Sequence, residues 1–300
     1  MSIAIVALLE IAVTVQGLNS VLNLMRRDLK ATWRYCRLVP FVVATILAVC
    51  PLTSAADVAV RYGTSELLAW TVTAFPETRA GTPEAGYPVA IRASECLGRN
   101  QAQSDWQERM LSLGYVVVEI DSFGARGFSS EALRAEKVCT GESVGIDERV
   151  ADWQTVLNEL ANDPRVNTRR LVVLGWSHGG WAALEWFSQI ASDPRKSVGF
   201  QISGALLFYP YCVATRSGGW SLPRDIALLV LHGSADRITS AVACRSQLSS
   251  LAGRGRYVRV VTLSGARHWF DDSRRPEFFD HAATSRAVAV ALEWLDSFSR

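Results

Sequence analysis

The sequence predicts an α/β domain with a mostly parallel central sheet and helices on both faces. Three observations carry this. Apolar runs of strand length alternate with longer amphipathic segments from about residue 66 to the C-terminus. The middle runs, such as 115-YVVVEIDS-122 and 170-RLVVLGW-176, are β-branched and apolar at consecutive positions, as a strand covered on both faces requires. The chain between runs is long enough for crossover helices. Strands are expected at 67–75, 87–94, 115–122, 170–176, 201–209, 226–234 and 256–263, the first of them antiparallel. Helices are expected near 101–113, 145–162, 179–192, 240–252 and 278–298. Only 16 residues separate the runs 201–209 and 226–234, too few for a helical cap domain.

The 300 residues are 49% hydrophobic and 20% charged, enough for one large domain at 56–300 with a sizeable core. A net charge of +2 with no basic stripe gives nucleic acid no footprint. The N-terminal stretch reads differently. Basic 25-MRRDLKATWRYCR-37 precedes the apolar run 39-VPFVVATILAVCPL-52, and Thr53-Ser54-Ala55 offers small residues before Ala56. That is the layout of a secretory leader over 1–55, with Met25 as its expected start, and the run is short for a membrane span. The mature domain is therefore expected in the periplasm or medium, not spanning a membrane. An N-terminal anchor built from this run and 3-IAIVALLEIAV-13 is the alternative. Beyond the leader cysteines Cys36 and Cys50 stand Cys96, Cys139, Cys212 and Cys244. No CxxC pair and no zinc-like histidine spacing occur, so no metal is expected, and four spaced cysteines behind a leader read as two disulfides.

Chemistry in such sheets gathers after the C-terminal ends of the strands. Ser177 sits there, in 171-LVVLGWSHGGWAALEW-186, where a Gly-x-Ser-x-Gly turn joins strand to helix. Glycines two residues to either side let the turn close sharply and push the serine outward. The packing alternative is that Gly175 and Gly179 merely fit helix to strand. A serine nucleophile needs a base. His178 is adjacent and points elsewhere, so its backbone N–H is the useful part; His232 lies inside a strand as a structural histidine; His281 lies near the solvent face of the last helix. His268, in 264-SGARHWFDD-272, follows the last strand and is the expected base. Asp236, in 231-LHGSADRIT-239, is the expected orienting acid, with a helix-cap role as its bland alternative. The order Ser177, Asp236, His268 is that of α/β-hydrolases. The second oxyanion donor is expected from 94-SECLGRN-100, at the N–H of Cys96, beside that of His178.

From about residue 66 onward the chain resembles the dienelactone hydrolase family of the α/β-hydrolases, in 95-ECLGRN-100, 115-YVVVEIDSFGARG-127, 174-LGWSHGGW-181, 207-LFYPYC-212, 233-GSADRITSAVAC-244 and 265-GARHWFD-271. The resemblance implies an α/β-hydrolase fold, hydrolysis of esters or lactones, and no cofactor. It also carries Glu95 and Arg126 onto positions that contact the nucleophile and the substrate carboxylate in dienelactone hydrolases. Three departures stand out: serine replaces the nucleophilic cysteine, 269-WFDDS-273 lacks the family's substrate-binding arginine, and Ser94-Glu95 stands where many exported relatives have His-Gly. Dienelactone is accordingly not the expected substrate, and Arg126 reads equally as a surface arginine in a Gly-rich loop. In this fold the strands ending near 94 and 122 are neighbours, as are those ending near 209 and 234. That topology, and the resemblance, pair Cys96 with Cys139 and Cys212 with Cys244.

The expected reaction is acyl transfer on a small, partly apolar ester or lactone in an open site lined by Phe123, Trp181, Tyr211, Trp269 and Phe270. Core packing is the alternative role for these aromatics. Two other functions compete: a peptidase of related fold, and a binding module that keeps the fold without catalysis.

Overall fold

In the computed structural model, residues 67, 70–77, 82–212, 219–252 and 257–297 are described. The leader, its start and the cleavage point lie outside them. Among the described residues no helix is long and apolar enough to cross a membrane.

Seven strands form one sheet: β1 (Thr71–Ala74), β2 (Tyr87–Ala93), β3 (Val116–Ile120), β4 (Val166–Trp176), β5 (Ile202–Phe208), β6 (Ala227–Gly233) and β7 (Val258–Leu263). Their order across the sheet is β1-β3-β2-β4-β5-β6-β7. Only β1 runs antiparallel, against β3. The helices are α1 (Gln101–Ser112), α2 (Glu131–Lys137), α3 (Ile146–Leu160), α4 (His178–Ser192), α5 (Ala241–Ala252) and α6 (His281–Asp296).

The apolar runs alternate between two cores. Val89, Ile91, Val116, Val118, Leu171, Val173, Ala205, Leu207, Leu228 and Val230 face α3, α4 and α5, packing with Trp153, Trp186, Phe187 and Leu248. Their sequence neighbours Ala90, Val117, Val172, Leu174, Leu206, Leu229 and Leu231 face α1 and α6, packing with Trp106, Met110, Val290 and Leu295. A strand with period two and helices on both sides has no polar face to show.

Three readings change. β4 begins at Val166, four residues early, because Tyr87 pairs with Val166 before the register shifts to Val89 and Leu171. The last helix begins at His281 because Asp280 accepts the Ala283 N–H as its N-cap. Helix α2, capped by Ser130, lies within a stretch the sequence pattern leaves as loop.

The strand order reverses between β2 and β4. Successive strands run outward to β3 on one side and to β5, β6 and β7 on the other. Ala93 pairs with Gly175, Gly175 with Leu207, and Phe208 with Leu231, so β2, β4, β5 and β6 end nearly level. Every loop that follows opens onto one crevice at the switch point.

Close backbone packing maintains that crevice. A Cβ on Gly179 would overlap the Ala93 carbonyl oxygen, and one on Gly175 would lie 2.9 Å from the Gly180 Cα. Gly179→Ala must therefore push α4 away from β2. We expect a loss of about 1–3 kcal/mol or more in stability, typical of overpacking. Thermal and urea unfolding of the purified variant measure it, and Ser112→Ala at the end of α1 serves as the neutral control.

Candidate active site

Ser177 joins β4 to α4 with φ 48° and ψ −110°, a conformation that a non-glycine residue holds only under constraint. The constraint is visible. Its N–H donates to the Phe208 carbonyl at 3.0 Å, and its own carbonyl accepts from the Trp181 N–H at 3.0 Å. Gly180, which the motif reading passed over, has the Pro210 side chain where its Cβ would be, at 2.6 Å. The first N–H groups of α4 have no acceptor within the helix, so the His178 N–H is available at the elbow.

The histidine and the acid reach this serine from β6 and β7. His268 Nε2 lies 3.2 Å from Ser177 Oγ, and its Nδ1 lies 2.7 Å from Asp236 Oδ2. The imidazole is 2% exposed, so bulk water does not intervene. Tyr209 packs against it, tilted by 56°, at 4.4 Å between ring centroids. Burial lowers the His268 pKa, and the Asp236 carboxylate partly restores it. Asp236 is fixed on every side: Oδ1 accepts from the N–H groups of Ile238 and Thr239 at 2.8 and 2.9 Å, and Oδ2 accepts from Thr239 Oγ1 at 2.8 Å. Burial alone would raise its pKa. Hydrogen bonds from His232, His268 and Thr239 outweigh that and hold the carboxyl well below its usual range. The helix cap of α5 falls to Ser240, whose Oγ accepts the Ala243 N–H, so Asp236 does not cap that helix.

His232 is buried as expected, but it is not remote. Its Nε2 lies 3.3 Å from Asp236 Oδ2 and 3.0 Å from the Thr239 carbonyl. A histidine inside a strand gives no sign of this, because the loop after β6 turns back onto the strand it leaves.

A cavity of about 670 Å³ opens over Ser177. Its walls include Glu95, Cys96, Cys139, His178, Trp181, Tyr211, Ile238, His268 and Trp269. Among the expected substrate contacts, Glu95, Trp181, Tyr211 and Trp269 are thus brought together there. Phe123 and Phe270 are not. Phe123 is wholly buried against the edge of the His178 ring, and Phe270 sits in the core under α6. Arg126 also departs from expectation. It pairs with Asp152 through both terminal nitrogens, at 2.7 and 3.1 Å, and does not line the cavity. The Gly-rich sequence around it showed no partner, since Asp152 arrives from α3.

Glu95 is 1% exposed, and burial raises its pKa to about 7 against hydrogen bonds from Trp269 Nε1 and Asn100 Nδ2. Two further residues were invisible to the motif reading. Arg149 bonds Ser94 and His178 from beneath the site. Asp271 accepts from Tyr209 Oη and Trp176 Nε1, bracing the loop that carries His268. Arg149 falls in no motif, and 265-GARHWFD-271 by itself does not show what Asp271 holds.

Cys96 pairs with Cys139 and Cys212 with Cys244 at disulfide distance, with Cα–Cα separations of 5.2 and 4.8 Å. Among the described residues no group of three His, Cys, Asp or Glu side chains is placed to hold a metal ion.

The sequence pattern of the dienelactone hydrolase family matches residues 77–299. The chain belongs to the dienelactone hydrolase family. It is a hydrolase on the α/β-hydrolase fold. The fold is shared with a Klebsiella pneumoniae protein assigned as a dienelactone hydrolase, at TM-score 0.58 and 18% identity over 75% of this chain and 91% of that one. It is shared too with Thermogutta terrifontis esterase 2 phosphoramylated by tabun, at TM-score 0.57 and 19% identity over 76% and 89%. One curated relative, "Probable dipeptidyl-aminopeptidase B" of Arthroderma otae, is 27% identical over 194 residues. That match takes in 57% of this chain and spans 19% of the relative's length.

The two cysteine pairs differ in place. Cys96 and Cys139 both line the cavity, whereas Cys244 is buried in the core. Closing loops of 43 and 32 residues stabilises by about 4 kcal/mol each on the chain-entropy view. Cys139→Ser is expected to lower kcat more than Cys212→Ser at a temperature where both remain folded. Equal losses in steady-state kinetics would deny the first pair any special part.

Proposed function

We propose that this dienelactone hydrolase family member is a serine esterase acting on small, uncharged carboxylic esters or lactones through an acyl-enzyme. The observation that carries the reading is the continuous path from Ser177 Oγ through His268 to Asp236, at 3.2 and 2.7 Å, ending in an open cavity.

The steps follow from the placement of each group. Ser177 Oγ attacks the ester carbonyl carbon while its proton passes to His268 Nε2, and the carbonyl π electrons move onto oxygen. The N–H groups of Cys96 and His178 receive that oxyanion, where one such donor is typically worth about 3 kcal/mol. The C–O bond to the alcohol then breaks, and His268 returns the proton to the leaving oxygen. Water, deprotonated by the same imidazole, attacks the acyl-serine; the acid departs and Ser177 regains its proton. Asp236 holds the imidazole tautomer and stabilises its charged form.

The charge of the cavity supports an uncharged substrate. No lysine or arginine stands among its described lining residues. Nearby arginines are engaged elsewhere: Arg126 with Asp152, Arg134 with Asp121, and Arg275 with Glu131 and Asp272. Glu95 adds negative charge above its pKa of about 7. A buried anionic acyl group would therefore lack a counter-ion. The likeness to a dipeptidyl-aminopeptidase favours one second reading, cleavage of short peptides at the same serine. Export, with residues 1–55 removed, completes the proposal; the paired cysteines suit an oxidising compartment.

Ser177→Ala should abolish both ester turnover and labelling by a fluorophosphonate probe, with unchanged thermal unfolding. Retained turnover would sink the assignment, and cleavage of dipeptidyl amides exceeding that of p-nitrophenyl butyrate would favour the peptidase. Mono-p-nitrophenyl succinate should be hydrolysed at least about tenfold less efficiently than p-nitrophenyl butyrate, because its carboxylate must be desolvated without a partner.

A further expectation concerns pH. His268 must be neutral to act as base, and burial sets its pKa below the ordinary 6.5. The kcat/KM profile should therefore show an acid limb centred below pH 6.5, with activity lost as the pH falls through it. An acid limb centred above pH 7 would contradict this.

A further inference from the structure

Arg149 is the least expected side chain in the molecule. It lies in the first turn of α3, where the helix dipole disfavours a cation, and it is wholly buried. No carboxylate among the described residues is within ion-pair distance of it; Asp121 and Asp152 act on it only from further away. An isolated buried charge is costly, and α3 would pack more easily around methionine or leucine at this position.

Its bonds are specific. Nη2 donates to the Ser94 carbonyl at 2.7 Å and to Ser94 Oγ at 3.0 Å. Nη1 donates to His178 Nδ1 at 3.1 Å. The guanidinium lies 4.7 Å from the Phe123 ring centroid, and Phe123 meets the His178 ring edge-on. One planar fork thus grips the loop after β2 with one nitrogen and the elbow with the other. Those two segments carry the Cys96 and His178 N–H groups. Donation to Nδ1 also puts the His178 proton on Nε2 and keeps the ring neutral beside the cation.

We propose that Arg149 is a positioning residue of the acyl transfer, locking the loop after β2 to the elbow and so setting the spacing of the two oxyanion-binding N–H groups. The inference rests on the esterase reading above and adds a requirement that the triad alone does not make. The disulfide to Cys139 restrains Cys96 from the outer side; Arg149 restrains Ser94 from below. A lysine can reach one segment or the other, but its single ammonium lacks the fork that spans both.

The test uses the full chain with p-nitrophenyl butyrate and an aryl trifluoromethyl ketone, which adds to the serine hydroxyl and places an oxyanion between the two donors. Arg149→Met should lower kcat about a hundredfold and Arg149→Lys roughly tenfold, both with KM within about threefold of the parent. The ketone's inhibition constant should rise in parallel with KM/kcat across the series. His178→Phe keeps the ring packing and the backbone N–H but removes the Nη1 acceptor, and it should give a smaller loss of the same kind. It carries the test if Arg149→Met does not fold. Unchanged kcat in a folded Arg149 variant, a loss confined to KM, or ketone binding that stays constant while kcat falls would each overturn the proposal. A parent chain that neither hydrolyses the ester nor takes the fluorophosphonate would overturn the esterase reading, and the inference with it.

Discussion

The end of β2 and the first turn of α4 approach so closely that only glycine fits between them. The Ala93 carbonyl occupies the space a side chain at 179 would need, and a Cβ on Gly175 would press on the Gly180 backbone at 2.9 Å. This contact brings the loop after β2 alongside the elbow after β4, across the point where strand order reverses. Ser177 holds its positive φ because the strand below and the helix above leave it no alternative. Loosening that contact would let the elbow relax, separate Cys96 from His178 and turn the serine away from the imidazole. The strain at the serine is therefore sustained by its backbone hydrogen bonds to β5 and α4 and by the glycine contacts on either side of it.

Polar groups around the site form two layers with different duties. In the upper layer, Ser177, His268 and Asp236 stand in a hydrogen-bonded row, and the donors around Asp236 hold its carboxyl well below the usual range. His232 and Thr239 contribute to that saturation from the body of β6 and its loop. The lower layer holds frames rather than protons. Asp271 ties the loop bearing His268 to Tyr209 and Trp176, and Arg149 ties Ser94 to His178. Buried polar networks are worth their desolvation where they fix one arrangement among several. Here they fix loops, which have no ladder of their own to hold them.

The cavity takes its character from what lines it and from what turns away. Trp181, Tyr211, Trp269 and Ile238 give it an apolar surface. The arginines that approach it each meet an acid or a carbonyl outside its walls, and the Arg275 guanidinium carbon lies over Trp269 at 4.8 Å from the ring centroid. Glu95, the one carboxyl among the described lining residues, is itself tethered by Trp269 and Asn100. The family's recognition of a carboxylate thus has no counterpart among the described lining residues, although the fold around it is retained.

The sequence by itself determined the fold class, the sheet's two buried faces, the elbow, and the choice of Ser177, Asp236 and His268 as three side chains that the fold brings within hydrogen-bond reach. Each of these rests on local chemistry: two-residue periodicity, glycines flanking a serine, polar residues just past the end of an apolar run. With the topology of the resembled family, it also determined the cysteine pairs. The tertiary structure alone decided which side chains face the cavity. Phe123 and Arg126 follow β3 as Glu95 follows β2, yet α3 supplies Asp152 to one and Arg149 to the other and draws both away. It alone placed His232 against the acid and Arg149 under the elbow. Those contacts join residues 4, 29 and 55 apart in the chain, across different elements. Periodicity and turn chemistry report on neighbours within one element. Which side chain meets which across a crevice depends on strand order and helix placement, and no single segment contains either.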